Sequence, residues 1–426
     1  QLKKVLVITY YWPPSGGPGV QRVLKFCKYL PEFGWEPIVL TVAKGDFPIT
    51  DDSHTHEIQN VKVFKQSFFE PHNIYKKLLG MGVEEAITTT VLTDEKVGLT
   101  NRLAKWIRLN CFVPDARVAW LFSGKKALKN SIGEESPHLI FSTGPPHTVH
   151  LLARKWSKIL GVPYITDLRD PWTEFVSYQG NPRFFLSRII DQYLERKTLT
   201  AAKKITVVSP TMKKMFCTFL PEEKIEVITN GFDSADFSGT VEKEVPEFIW
   251  TYNGNLDKNR VPRAFLYAVK KFTQQEIGSI KCRFVGRQCP ELLAEIQSLE
   301  IEDICSFEGY VSHNQALEFL QASYGTLLVI DNVSNNECFI PGKVFEYIGT
   351  DKPVIGIGPT NGDSTKVLSD SGAGKMFDYQ DSDGIFDFLI LHFKNFNEGM
   401  RHATDKGKYE RKTLTFALSE IFDSMV

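Results

Sequence analysis

The sequence has no CxxC pair, and its seven cysteines are odd in number and widely scattered. That argues against a disulfide framework or a zinc site of the usual spacing, and it fits a reduced compartment. No apolar run approaches the ~18 residues that span a bilayer. The chain opens directly on a strand-like segment, so no secretory leader is expected. Neither sign of charge dominates, with 50 Lys plus Arg against 51 Asp plus Glu. A global basic field is therefore missing, and no nucleic-acid partner is expected. Also missing is a GK[ST] after the first glycine-rich loop, which excludes a P-loop.

What is present is a regular alternation of short apolar strands and helical stretches, the mark of α/β architecture with parallel sheets. In the first half the strands read KKVLVITY, EPIVLTV, VKVF, HLIFST, YITD, KITVVS and KIEVITN. A polar stretch, DSADFSGTVEKEVPE, then lacks apolar periodicity. After it the alternation restarts with FIWTYNGN, KCRFVGR, ICSFEGY, GTLLVID, KPVIGIG and GAGKMFDY. The expected organisation is a first doubly wound domain over 1–235, with a helical excursion at about 67–130, and a second over 236–408. An amphipathic helix over 409–426 could return to the first domain. Two such domains would present ligand crevices outside the carboxyl ends of their strands.

The loop ITYYWPPSGGPGVQR after the first strand invites a dinucleotide reading. However, Gly17-Pro18-Gly19-Val20-Gln21-Arg22 breaks G-x-G-x-x-G at its third glycine, and EPIVLTVAKGD lacks a convincing acid for a ribose. What remains is a glycine loop feeding a helix N-terminus, able to approach an anion closely, or a plain turn. The one Asp-x-Asp, Asp381-Ser382-Asp383, precedes GIFDFLILHF and reads as a helix N-cap, not a metal site. Residues 62–130 carry twelve Lys/Arg against six Asp/Glu among aromatics. This is either a solvated helical surface or one that docks an anionic or lipid-bearing partner.

STGPPHTVHLL, YITDLRDPW, ITVVSP, VITNGFD, YNGN, FVGR, FEGYVS and KVFEYIGTDKPVIGIG follow one another in the chain. In that order they resemble the retaining glycosyltransferases of family 4. The resemblance implies a GT-B fold, two Rossmann-like domains facing across a cleft. It also implies sugar transfer from a nucleotide-diphosphate donor to an acceptor hydroxyl. No metal or other cofactor is expected, because basic side chains and helix N-termini stabilise the leaving diphosphate. Gly16, Gly17 and Gly19 then look like the loop that approaches donor diphosphate and sugar.

In the second domain the family's Gly-Arg is replaced by Gly254-Asn255, so Arg260 is the expected diphosphate clamp. Glu346 resembles the second acid of the Glu-x7-Glu signature, which bonds the ribose. The first acid falls on Cys338, with Glu337 beside it as a substitute. Lys343 stands ready to add charge for the diphosphate. In the first domain, His147 opens a helix behind TGPP and faces the crevice. Asp167, Arg169 and Asp170 close a strand where the family often carries a His, and Arg169 could pair with either acid. A lipid-linked or glycan acceptor, cytoplasmic placement with peripheral membrane contact through 62–130, and surface-polysaccharide assembly complete the expectation. The alternatives are an epimerase using Asp167 and Asp170, and a non-catalytic nucleotide- or sugar-binding protein.

Overall fold

The computed structural model describes residues 2–45, 47, 55–68, 106–123, 132–133, 135–173, 183–237, 247–334 and 336–426. The chain divides into two compact units, residues 1–229 with 414–426, and residues 230–413.

Unit one holds a seven-stranded parallel sheet in the order β3-β2-β1-β4-β5-β6-β7. Its strands are β1 (Lys3–Ile8), β2 (Trp35–Val42), β3 (Lys62–Gln66), β4 (Leu139–Gly144), β5 (Tyr164–Leu168), β6 (Lys204–Val207) and β7 (Ile225–Val227). The principal helices are α1 (Pro18–Tyr29), α2 (Thr148–Leu160), α3 (Phe185–Ala201) and α4 (Pro210–Phe216). Continuous apolar runs such as VLVI arise because both faces of a parallel sheet are covered. Leu6 and Ile8 join one core with Val149, Leu152 and Trp156 of α2. Val5 and Val7 point the other way, toward Val23 and Leu24 of α1 and toward Leu414, Leu418 and Phe422. Proline at the start of α1 presets the first turn, and Gly161 in the left-handed region closes α2.

Unit two repeats the plan with six parallel strands in the order β10-β9-β8-β11-β12-β13. They are β8 (Ile249–Asn253), β9 (Lys281–Val285), β10 (Cys305–Gly309), β11 (Gly325–Val329), β12 (Val354–Ile357) and β13 (Gly374–Phe377). Helices α5 (Arg263–Gln274), α6 (Pro290–Ser298), α7 (His313–Gln321), α8 (Lys343–Gly349), α9 (Asp363–Asp370) and α10 (Ser382–Asn397) lie between and after them. Finally α11 (Arg411–Asp423) begins in unit two and contributes its residues from 414 onward to unit one. Asp381 caps α10 by accepting from the Gly384 amide at 2.9 Å, so the Asp-x-Asp pair is a helix start.

The expected strands appear in both units. Most of the expected excursion, residues 69–105 and 124–131, lies outside the described residues, and with it most of the proposed contact surface at 62–130. No described helix is long and apolar enough to cross a membrane.

Candidate active site

In each sheet the strand order reverses once, between β1 and β4 in unit one and between β8 and β11 in unit two. Chains leaving adjacent strands there diverge to opposite faces, opening a crevice at the carboxyl ends. The candidate residues gather at these two places.

At the unit-one reversal, Arg22 and Asp167 form a fully buried ion pair. Nε and Nη2 of Arg22 donate to the two carboxylate oxygens at 3.0 and 2.8 Å. The guanidinium also donates to the carbonyls of Thr229 and Ile228 at 2.6 and 2.8 Å. Asp167 accepts further bonds from Thr143 and Thr206, each at 2.7 Å. Burial raises its pKa, but the charge and hydrogen bonds of Arg22, with both hydroxyls, outweigh that and hold it below the ordinary carboxylate range. This corrects the expected pairing: Asp167 hydrogen-bonds Arg22 and not Arg169, and its oxygens already accept from Arg22, Thr143 and Thr206.

Arg169 pairs with neither acid by hydrogen bond. It clamps backbone instead, through Nε to Gly144 O at 3.0 Å, Nη2 to Pro145 O at 2.8 Å, and Nη1 to Gly19 O. One guanidinium thus ties the loop after β4 to the start of α1. Glycine at position 19 permits it, since a Cβ there would lie 3.2 Å from Nη1. Gly17 caps α1 at φ 88°, a conformation glycine adopts freely, and the first turn carries no acid. Gly16 precedes it, half-buried. Asp170 is half-buried and has no hydrogen-bond partner among the described residues. Burial pushes its carboxyl up and Arg169 pulls it partly back.

His147, buried at the start of α2, stacks on Trp172 with centroids 4.9 Å apart and planes 6° from parallel. Its Nδ1 is buried without a partner. His150, one turn on, places Nδ1 2.9 Å from the Ser142 hydroxyl, which itself donates to Ile165 O. Nε2 of His150 is buried without a partner. Burial, with repulsion from His150 and Arg169, holds His147 well below the usual imidazole range. Burial pushes His150 down to about 3. Both rings are neutral at pH 7. His150 and Trp172 were not among the expected residues, although the H-x-x-H spacing on one helix face could have flagged the first.

The unit-two reversal is built differently. Arg260, the expected clamp, is committed to Asp331, which lies two residues beyond β11. Nε donates to Oδ1, and Nη2 donates to Oδ2 at 2.8 Å. Its charge is already matched, and it braces the loop after β8 against the loop after β11. Lys343, at the start of α8, has no such partner. Its Nζ donates to the neutral Tyr252 hydroxyl at 2.9 Å, and no carboxylate pairs with it among the described residues. Burial and the nearby Arg260, partly offset by Glu346 and Asp331, push its pKa down to about 7.

Gly254, at φ 126°, makes room for this ammonium, because a Cβ there would fall 2.6 Å from Nζ. Asn255 is exposed and accepts from the Arg287 amide at 3.1 Å. The Tyr347 hydroxyl accepts from the Asn253 amide at 3.0 Å and so fixes α8 to the end of β8. Glu346, one turn into α8, has no hydrogen-bond partner among the described residues. Burial raises its carboxyl against the pull of His313 and Lys343. Glu337 lies apart from this cluster in character. Its side chain is exposed in a turn, and among the described residues its hydrogen bond is through the carbonyl, which accepts from the Asp363 amide at 2.7 Å.

Two parallel-sheet units with polar clusters at their strand reversals define a GT-B protein. Solved structures share this fold at low sequence identity. HepE from Anabaena, crystallised with UDP and glucose, aligns over 99% of this chain and 100% of its own, with TM-score 0.60 and 13% identity. Sucrose-phosphate synthase from Thermosynechococcus elongatus aligns over 99% and 98%, with TM-score 0.57 and 12% identity. The lipopolysaccharide outer core galactosyltransferase WaaB, in its apo form, aligns over 99% and 100%, with TM-score 0.55 and 11% identity. No curated protein sequence matches the chain. Residues 19–236 match the model of Glycosyltransferase Family 4, and the chain belongs to that family. It is a glycosyltransferase.

Proposed function

We propose that the enzyme moves a sugar from a nucleoside-diphosphate donor to an acceptor hydroxyl with retention, without a metal, in assembly of a surface polysaccharide or lipid-linked glycan. The observation that carries the donor half is Lys343, a half-buried cation whose one hydrogen-bond partner among the described residues is neutral. A partly desolvated charge of this kind favours an anion beside it, and a diphosphate supplies one. Glu346, lacking a partner one turn further along α8, is the acceptor for ribose hydroxyls. The leaving diphosphate then gathers its negative charge beside Lys343, where the surrounding groups are fixed in advance.

Retention is read through a front-face route, in which the departing phosphate takes the acceptor's proton. Asp167 supports this by being unsuited as a nucleophile, with its oxygens bound by Arg22, Thr143 and Thr206. The same commitment argues against an epimerase built on Asp167 and Asp170. Arg169, Gly17 and Gly19 set the position of the loop that meets the transferred sugar. His147 and Asp170 are the unit-one side chains left for sugar or acceptor hydroxyls. HepE is seen with UDP and glucose, which makes UDP-sugars the first donors to try.

The test is a thermal-shift and turnover screen with UDP, GDP and ADP sugars, in EDTA and in Mg²⁺. One nucleotide should stabilise the enzyme by about 2.7 kcal/mol at a hundredfold excess over Kd, equally in EDTA. The product should keep the donor's anomeric configuration by NMR. Stabilisation only with Mg²⁺ would end the metal-free reading. Donor isomerised without acceptor would replace transfer by epimerisation, and binding with no turnover would leave a binding protein.

A further inference from the structure

Helix α3 turns its hydrophobic side outward. Its two acids face inward, where Asp191 accepts from Trp172 Nε1 at 2.9 Å and pairs with Arg183, and Glu195 accepts from the Thr173 hydroxyl at 2.7 Å. Ser187, Thr198 and Leu199 are buried on the same side. Outward stand Phe184, Phe185, Leu186, Ile189, Ile190 and Tyr193, each between 44% and 69% exposed. The spacing 185, 189, 193 and 186, 190 joins them into one stripe along the helix. Trp106 adds to its upper end, because Asn110, one turn beyond it, accepts from the Phe184 amide and the Ser187 hydroxyl.

The remaining exposed positions of α3 are Arg188, Gln192, Arg196, Lys197, Thr200 and Ala201. Three are cations and none is an acid, since both carboxylates have been drawn into the protein. Lys197 also donates to the Tyr193 hydroxyl at 2.7 Å, which sets a positive charge at the edge of the apolar stripe. Large apolar side chains this closely grouped mark an interaction surface. Among the described residues of α3, every charged side chain exposed beside the apolar stripe is a cation, which matches the boundary between acyl chains and anionic headgroups. A second copy of this face would instead bring cations against cations with no carboxylate to pair them.

We propose that the outward face of α3 docks on an anionic phospholipid bilayer. This rests on α3 alone and holds whatever the donor proves to be.

The experiment is co-sedimentation of the full chain with vesicles of phosphatidylcholine, alone or with about a third phosphatidylglycerol. Two variants are run beside it, Phe185→Ser/Ile189→Ser/Tyr193→Ser and Arg188→Glu/Arg196→Glu/Lys197→Glu. Their melting temperatures and circular dichroism check that they fold. The wild type should bind the anionic vesicles and not the neutral ones, and each variant should bind at least roughly tenfold more weakly. Added salt should weaken the wild type but change the charge-reversed variant little. Failure to bind anionic vesicles, or equal binding by folded variants, overturns the proposal. Concentration-dependent dimerisation in light scattering, lost in the serine variant and unaccompanied by vesicle binding, would assign the face to a second copy.

Discussion

Arg22 and Lys343 are both cations held inside the protein near a strand reversal, yet one is saturated and the other is not. Arg22 meets a carboxylate with two parallel bonds and two carbonyls besides. Lys343 meets a phenol. A buried ion stays charged when its surroundings satisfy it, and shifts its pKa when they do not. The saturated pair therefore belongs to the framework of unit one. The unsaturated ammonium of unit two is the cation that the proposed function assigns to the donor diphosphate. Arg260 sharpens the contrast within unit two, because Asp331 has made it a brace.

The comparison breaks most visibly at Asp167. Asp167→Ala should destabilise unit one by about 3–5 kcal/mol, because Arg22 would remain buried with its charge unmatched. Urea unfolding followed by probes in each unit would read this, with the unit-two transition unmoved. Replacing both partners, Arg22→Met with Asp167→Leu, should cost much less, since no lone charge is left behind. A single variant as stable as the wild type would remove Arg22 from the framework.

Lys343→Met should do the opposite. Unit two should keep or gain stability, while affinity for the cognate nucleoside diphosphate falls by about 1.5–3 kcal/mol, the worth of a charged hydrogen bond. Arg260→Met should lose stability instead, through the abandoned Asp331. Calorimetric titration with each variant separates the two roles. If Arg260→Met loses affinity at unchanged stability and Lys343→Met does not, the clamp returns to Arg260.

A third effect follows from the pKa of Lys343. Its folded value of about 7 lies below the ordinary 10.5, so between these limits the unfolded chain binds the extra proton. Unit two should therefore gain stability as pH rises from about 7 toward 10.5. Under the proposed function nucleotide binding runs the other way, because the anion would need the protonated amine. Affinity should fall by up to about tenfold per pH unit above 7, or about 1.4 kcal/mol. Lys343→Arg stays protonated and should flatten that profile. A slope that persists in Lys343→Arg would place the titrating group elsewhere.

Much of the fold could be read from the sequence, because apolar runs such as VLVI and LLVI have few alternatives to buried parallel strands. Asp381 also caps a helix as expected, since an N-cap depends on local backbone chemistry alone. The positions of the candidate residues at strand ends were legible in the sequence, but their hydrogen-bond partners were not. YITDLRDPW placed Asp167, Arg169 and Asp170 at a strand end, yet nothing local says that Asp167 faces inward to Arg22, 145 residues away. Likewise Asp331 decides the fate of Arg260 from 71 positions along the chain. Partner choice of this kind is set by strand order. The aspartate ending GTLLVID was the one available hint, because β11 borders the reversal.

The smallest effect tests how firmly Arg169 grips its two loops. Gly19 lies in the first turn of α1, where alanine would ordinarily stabilise a helix by about 0.5–1 kcal/mol. Here the new methyl would stand 3.2 Å from Arg169 Nη1, closer than such contacts usually settle. If the guanidinium yields, the helical gain survives and Gly19→Ala is stable, but the bonds to Gly144 and Pro145 shift with it. If the three carbonyls hold it fast, the gain is cancelled and net stability changes by less than about 0.5 kcal/mol. Either way the loop before α1 moves, so under the proposed function turnover should drop while nucleotide affinity, assigned there to unit two, stays put. A stable Gly19→Ala with wild-type turnover would show that Arg169 holds backbone for folding alone.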